Sequence, residues 1–202
     1  MYIFRKRNPS YLFVRLNREC HKTCGKGENS VKKKVYSVVF WLVLLGYLAI
    51  LLNTVFFFRI GSQVRSVNLV PFQSIKSYLF VDNGFGTIRL IDMNIWGNIL
   101  MFVPLGVYLS TLFPKKAWQK LFGLTVLTSL VIEIIQYFAS LGSSDIDDII
   151  LNSLGGLIGI GCYHLLNKLT HHEEKTAKWV TIISGVVGIP IILLEILLLI
   201  AN

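Results

Sequence analysis

The segment at residues 145–166 reads DIDDIILNSLGGLIGIGCYHLL, and the pattern within it indicates how the rest of the chain folds. Acidic residues open the segment, and a long apolar run that contains several glycines follows them. A helix rises about 1.5 Å per residue, so about 20 largely apolar residues cross the hydrocarbon core of a bilayer. The segment therefore predicts a transmembrane helix with a polar start.

Four other blocks of the sequence have the same apolar character. They lie at residues 35–58, 94–113, 118–140 and 179–201. Of the 202 residues, 53% are hydrophobic and only 15% are charged, whereas a soluble domain is about a quarter charged. The mean hydropathy is +0.61. This composition excludes a secreted disulfide scaffold, a disordered chain and an ordinary soluble enzyme. We predict an all-α protein, a polytopic transmembrane helix bundle with five spans.

The apolar blocks divide the chain into five parts. These are a basic N-terminal tail at residues 1–34, a first transmembrane helix at 35–58, a domain of one external loop and three transmembrane helices at 59–166, a cytoplasmic loop at 167–178 and a fifth transmembrane helix at 179–202.

Lysine and arginine predict the orientation, because cytoplasmic segments of membrane proteins carry an excess of them. Ten lie in residues 1–34, and others flank the second and fourth connectors. The N-terminus is therefore predicted to be cytoplasmic and the C-terminus extracytoplasmic in a multi-pass protein of the cell membrane. The basic tail either serves only to orient the chain or also contacts anionic lipids of the inner leaflet. A net charge of +9 would indicate nucleic acid in a soluble protein, but here it is concentrated in this tail, and no nucleic-acid partner is expected.

Carboxylate and amide side chains gather at the predicted outer ends of the spans. They are Asn94, Asn98, Glu133, Gln136, Asp145, Asp148 and Asn152. Such groups are costly in hydrocarbon when unpaired, so they normally face a bundle interior or a wet cavity. We predict that they form a ligand-binding or functional polar cluster that opens to the exterior. A purely structural role, in which the same groups fix the bundle by hydrogen bonds between helices, stays open.

Proline and glycine residues within the spans predict helix packing. Pro104 removes a backbone hydrogen bond from the second span, and Gly106 follows it. Gly155 and Gly159 form a small-xxx-small step, with Gly156 beside it, and such steps let helix backbones approach closely. We expect the fourth helix to turn this stripe toward its neighbours.

No metal site and no cofactor are predicted. Cys20, His21 and Cys24 lie close together in the tail, but four ligands at a recognised zinc spacing are absent from the sequence. The three cysteines of the chain do not indicate a disulfide framework.

In order and spacing, these polar and small residues resemble those of the VanZ-like membrane proteins, the teicoplanin-resistance family. The resemblance covers about residues 68–166. It is carried by Asn68-Leu69-Val70-Pro71-Phe72, residues 94–98, Phe102-Val103-Pro104-Leu105-Gly106, Glu133 with Gln136, Asp145-Ile146-Asp147-Asp148, Asn152, Gly155, Gly156 and Gly159. It implies a polytopic bacterial membrane protein, some of whose relatives lower susceptibility to teicoplanin and other lipoglycopeptides.

Three functions remain open at this point. The favoured one is a non-catalytic protein at the outer face of the bacterial cytoplasmic membrane. It would act in susceptibility to glycopeptide or lipoglycopeptide antibiotics such as teicoplanin, or handle lipid-linked cell-wall precursors of the envelope. Its partners would be the lipid bilayer and such a precursor or lipoglycopeptide at the outer leaflet. The alternatives are a membrane-embedded enzyme that acts on a lipid head group, with Glu133 and Asp148 as an acid/base pair, and a small transporter.

Overall fold

A computed structural model describes residues 28–57, 67–79, 93–139 and 144–201 of the chain. Most of the basic tail, at residues 1–27, and much of the loop between the first two spans, at residues 58–66 and 80–92, lie outside the described residues. The chain divides into two compact units, residues 1–38 and 39–202. The first is described only over residues 28–38, which are helical. The contacts reported below all lie within the second.

Helices account for nearly all of the described residues. They are α1 (Glu28–Leu52), which continues into a π-helical turn at Asn53–Phe57, α2 (Gln73–Leu79), α3 (Met93–Leu112), α4 (Trp118–Ala139), α5 (Ile146–Thr170) and α6 (Glu173–Ala201). Among the described residues, five helices are long and apolar enough to cross a membrane, and α2 is the short exception. The prediction of an all-α polytopic bundle with five spans is confirmed, and the protein is a multi-pass membrane protein.

Two short strands interrupt the helical pattern. β1 (Val67–Asn68) pairs in parallel with β2 (Ser144–Asp145), so that Asn68 lies opposite Asp145. Two-residue strands are too short to show the alternation of apolar and polar residues by which a strand is detected in a sequence. The pairing joins the loop after the first span to the start of α5.

Two of the helices extend beyond the apolar blocks that predicted them. α1 begins at Glu28 rather than at residue 35, and α6 begins at Glu173 rather than at residue 179. The added residues are rich in lysine and glutamate, which are good helix formers in water. Hydropathy therefore located the apolar part of each helix, and the high helix propensity of the added residues explains why the helix extends beyond it.

The most extensive helix contact among the described residues is between α3 and α5. A Cβ at Gly155 would lie against the carbonyl oxygen of Ile99, and a Cβ at Gly159 would lie against that of Val103. Because these contacts advance in the same direction along both helices, α3 and α5 run parallel. Their backbones touch at positions where only glycine leaves enough room.

The same stripe of α5 also contacts α4. A Cβ at Gly156 would lie 2.7 Å from Cβ of Thr125 on α4, while a Cβ at Gly106 of α3 would lie against the carbonyl oxygen of Gly156. Adjacent glycines of α5 thus face different helices. The small-residue stripe places α3 and α4 against two sides of α5.

Large side chains fill the space between α1, α3 and α4. The buried cluster consists of Leu51, Phe102, Leu105 and Ile132. Tyr47 of α1 adds a hydrogen bond from its hydroxyl group to the carbonyl oxygen of Met101, at 2.8 Å. On its other side, α1 contacts α6, where a Cβ at Gly188 would lie 2.9 Å from Cγ1 of Val43.

Gly159→Ala tests the close contact of α3 and α5. The added methyl group would press against backbone atoms of Val103, which cannot rotate away, and overpacking of this kind costs about 1–3 kcal/mol. We expect a lower midpoint of thermal unfolding for the purified protein in detergent. The matched control is Gly161→Ala on the same helix, where a Cβ meets no atom within 4 Å. If both variants unfold at the temperature of the parent, the contact does not stabilise the bundle.

Candidate functional site

Polar side chains join five helices at one end of the bundle, which we call the polar end. It is the end at which α3 and α5 begin and at which α1, α4 and α6 finish. Three hydrogen bonds between side chains and distant segments define it: Gln136 Nε2 to the carbonyl oxygen of Val55 (2.9 Å), Asn53 Nδ2 to Glu195 Oε1 (2.7 Å) and Asn98 Nδ2 to Asp148 Oδ1 (2.6 Å).

The carboxylate of Asp147 is the most deeply buried acidic group of the polar end, with 1% of the residue exposed. It accepts three backbone N–H groups at the start of α2: that of Phe72, which precedes the helix (2.5 Å), and those of Ser74 (2.8 Å) and Ile75 (3.1 Å) in its first turn. The first N–H groups of any helix lack partners within the helix. Asp147 therefore holds the start of α2 against the start of α5.

Asp145 precedes α5 and caps it. Its backbone is extended, and its carboxylate accepts the N–H of Asp147 at 2.9 Å, as the N-cap residue of a helix does. The same carboxylate also accepts Asn68 Nδ2 at 3.2 Å and the hydroxyl group of Ser74. In turn, the N–H of Asp145 donates to Glu133 Oε2 at 3.0 Å. Glu133 thus ties the end of α4 to β2.

Phe72 adopts a left-handed backbone conformation, with φ of 65°. A residue other than glycine in such a conformation costs about 1–3 kcal/mol. A hydrogen bond to a charged group contributes about 1.5–3 kcal/mol. The bond from the N–H of Phe72 to Asp147 is therefore strong enough to offset this strain.

Further from the polar end, an amide of α5 and a hydroxyl group of α4 form another polar contact between these two helices. Asn152 Nδ2 donates to the hydroxyl oxygen of Ser129 at 2.9 Å. Both Gln136 and Asn152 are buried, and Gln136 Oε1 and Asn152 Oδ1 accept no hydrogen bond within the part of the chain described. Buried acceptors of this kind are commonly satisfied by internal water. Gln136 Oε1 and Asn152 Oδ1 are therefore two separate acceptors and do not by themselves form a complete set of ligands.

The described residues contain no group of three or more His, Cys, Asp or Glu side chains that could hold a metal ion. The carboxylates at the polar end instead accept hydrogen bonds from the chain itself. Asp145 and Asp147 each accept at least three donors, counting N–H, amide and hydroxyl groups together.

The structure places the seven predicted cluster residues in three different settings. Glu133, Gln136, Asp145 and Asn152 are buried in contacts between helices and strands, Asn98 and Asp148 form a half-buried pair, and Asn94 is exposed one turn before Asn98. The predicted packing residues lie deeper. Gly106, Gly155, Gly156 and Gly159 lie at backbone contacts of α3, α4 and α5, and the helix α3 continues through Pro104.

Helix-face reasoning from the sequence did not assign Asp147, Asn68 or Ser74 to the cluster. Residues two positions apart lie on different faces of a helix, so helical spacing predicts that Asp145 and Asp147 point in different directions. In the structure Asp145 lies before α5 rather than within it, and both carboxylates reach the same loop. The sequence signal for Asn68 was the turn motif at residues 68–72, which contains Pro71, and that for Asp147 was the acidic run at residues 145–148.

The fold and the polar end define a multi-pass helical membrane protein in which carboxylates and amides from separate spans meet at one end of the bundle. The VanZ/LLP1 family model matches residues 38–167, which is more than half of the chain. The protein named Protein VanZ from Enterococcus faecium is 31% identical over 129 residues, which cover 64% of this chain and 70% of that protein. No solved structure matches the chain. The chain belongs to the VanZ/LLP1 family.

Asp147→Asn tests the role of the buried carboxylate. The neutral amide cannot accept three N–H groups as strongly, and each bond to a charged acceptor contributes about 1.5–3 kcal/mol. Since about 1.4 kcal/mol is a factor of ten in an equilibrium, we expect the amide hydrogens of Phe72, Ser74 and Ile75 to exchange at least about tenfold faster. Hydrogen exchange followed by mass spectrometry measures this.

The control for this variant is Glu174→Gln, which removes an exposed carboxylate at the start of α6. Its exchange at residues 72–75 should match that of the parent. Unchanged protection in Asp147→Asn would show that other contacts hold the start of α2.

Proposed function

We propose that the protein is a non-catalytic envelope protein that acts at the outer face of the bacterial cytoplasmic membrane. In this role it lowers susceptibility to glycopeptide or lipoglycopeptide antibiotics such as teicoplanin, by binding the drug or the lipid-linked cell-wall precursor at the outer leaflet. Membership of the VanZ/LLP1 family supports the drug class. The observation that carries the proposal is the polar end, where separate spans bring carboxylates and amides to one end of the bundle.

The positions of the basic residues support an outward polar end. Lys115, Lys116 and Lys120 lie at the connector between α3 and α4, and Lys168, Lys175 and Lys178 lie at the connector between α5 and α6. Both connectors are at the end of the bundle opposite to the polar end. Because cytoplasmic segments carry the excess of lysine and arginine, the polar end faces outward in this proposal.

The hydrogen bonds assign different tasks to the acidic residues. Glu133, Asp145 and Asp147 are buried and accept bonds from β2, α5 and the first turn of α2, so in this proposal their task is to hold these parts together. Asp148 is half-buried and pairs with Asn98. In the proposal, this pair and the exposed Asn94 form the part of the polar end that a ligand reaches.

The same geometry weighs against the acid/base alternative. A general acid or base must lie within hydrogen-bond reach of the reacting group of a substrate. Glu133 is only 2% exposed, and one of its carboxylate oxygens accepts the N–H of Asp145. A lipid head group would have to displace β2 to reach it.

Asp148→Asn and Asn98→Ala test the proposed site. Each is produced in a susceptible bacterial host that lacks the gene, and the minimum inhibitory concentration of teicoplanin is compared at matched membrane levels of protein. The parent should raise this concentration severalfold over the empty vector. Both variants should lose most of the increase, because each removes one partner of the half-buried pair.

The control for the drug assay is Glu174→Gln at the opposite end of the bundle, which should protect as well as the parent. If Asp148→Asn and Asn98→Ala also protect fully, the pair is not the functional site. If the parent itself gives no protection, the drug class is wrong.

Cysteine labelling tests the orientation. In a variant with the three native cysteines replaced by serine, single cysteines are introduced at Asn94 and at Lys116, both of which are exposed and lie at opposite ends of the bundle. On intact cells, a membrane-impermeant maleimide should react with the cysteine at position 94. The cysteine at position 116 should react only after permeabilisation. The reverse pattern would place the polar end in the cytoplasm and contradict the proposal.

A further inference from the structure

The turn at residues 68–72, which we call the Pro71 turn, combines apolar side chains with an anchored backbone. Leu69 is 72% exposed and Phe72 is 53% exposed, and Val70 and Pro71 are exposed as well. A loop in water normally exposes polar side chains, and contiguous exposed apolar groups mark a surface that contacts a partner or a membrane.

The backbone donors from Val70 into the first turn of α2 are paired. From Val70 to Lys76, each N–H group donates a hydrogen bond within the protein. Val70 donates to Asn68 Oδ1 (3.1 Å), Phe72, Ser74 and Ile75 donate to Asp147 (2.5, 2.8 and 3.1 Å), Gln73 donates to the carbonyl oxygen of Val70 (3.3 Å), and Lys76 donates to that of Phe72 (3.0 Å). Pro71 has no N–H group to pair.

Such complete pairing is not required of a loop that water surrounds, because water satisfies free N–H groups. In an apolar environment each unpaired N–H group costs several kcal/mol, so a turn that places its side chains among lipid is more stable when its donors are paired within the protein. Val70 and Phe72 of the Pro71 turn meet this condition. Asp147 supplies the acceptors that a helix or a sheet would otherwise provide.

Other strongly exposed apolar side chains also lie at the polar end. Met93 at the start of α3 and Phe138 near the end of α4 are both strongly exposed at the polar end, and both belong to helices that span the membrane. The Pro71 turn lies at the same end of the bundle, because Phe72 donates to Asp147 near the start of α5. Lys76, one turn into α2, is exposed and basic, as is typical of a residue at the level of lipid phosphates.

We propose that the Pro71 turn inserts Leu69, Val70 and Phe72 into the acyl chains of the leaflet at the polar end. The occupant of this apolar surface is lipid rather than a second protein. α2 then lies at the interface, with Lys76 near the head groups. Asp147 is the positioning residue that holds the turn in this conformation. The inference concerns the membrane contact of the turn and does not rest on the proposed function.

Depth measurement by electron paramagnetic resonance tests the insertion. The full chain, with its three native cysteines replaced by serine, carries a single nitroxide-labelled cysteine at Leu69 or, as the matched control on the same segment, at Lys76. Each protein is reconstituted into vesicles of phosphatidylcholine and phosphatidylglycerol. Power saturation then compares the accessibility of the label to oxygen, which partitions into hydrocarbon, and to a water-soluble nickel chelate.

We expect the label at position 69 to be severalfold more accessible to oxygen than to the nickel chelate, and the label at position 76 to show the reverse preference. Preferential nickel access at position 69 would overturn the proposal, since the turn would then lie in water. Low access to both reagents, together with dipolar coupling between labels of different molecules, would also overturn it in favour of a second copy of the chain.

Asp147→Asn in the labelled protein tests the positioning role. If Asp147 pairs the backbone so that the turn can enter hydrocarbon, the label at position 69 should move toward the water-accessible range in this variant. The label at position 76 serves again as the control and should change little. If the position 69 label stays in hydrocarbon, Asp147 does not position the turn, although the insertion itself would stand.

Discussion

The contact between the backbones of α3 and α5 determines the register of the whole polar end. Helices in lipid gain little from the hydrophobic effect when they associate, so close packing and hydrogen bonds between them supply the stability. Gly155 and Gly159 allow α5 to touch Ile99 and Val103 of α3 directly. This register brings Asn98, the residue before Ile99, within 2.6 Å of Asp148. A shift of one turn would separate the pair and leave a carboxylate without this donor.

A second constraint is that buried carboxylates need donors, and here the chain supplies them from its own backbone. Asp147 accepts three N–H groups, one from Phe72 just before α2 and two from the first turn of α2, and Asp145 accepts donors from both α5 and α2. The acidic residues thereby tie residues 68–75 of the connector between the first two spans to the bundle. This explains why groups that are costly in a membrane occur in several spans at the same level.

The structure thus separates two roles that a list of polar residues cannot distinguish. Glu133, Asp145 and Asp147 hold the parts of the polar end together, while Asn98 and Asp148 are half-exposed at its surface. Beside them lies the Pro71 turn with its exposed apolar side chains. An amphiphilic ligand with a polar head and an acyl chain would meet both kinds of surface at one membrane face, which is consistent with the lipid-linked or lipoglycopeptide ligands proposed above.

The sequence by itself determined the five spans, because hydropathy over about 20 residues is a local property that the thickness of the bilayer selects. It also indicated that Gly155 and Gly159 mark a close helix contact. Tertiary structure alone decided that the partner is the parallel helix α3 rather than a sequential neighbour, and that Asp147 accepts the N–H groups of residues 72, 74 and 75. Contacts between residues so far apart in the chain depend on how whole helices are arranged. The periodicity of apolar and polar residues within one segment does not predict that arrangement.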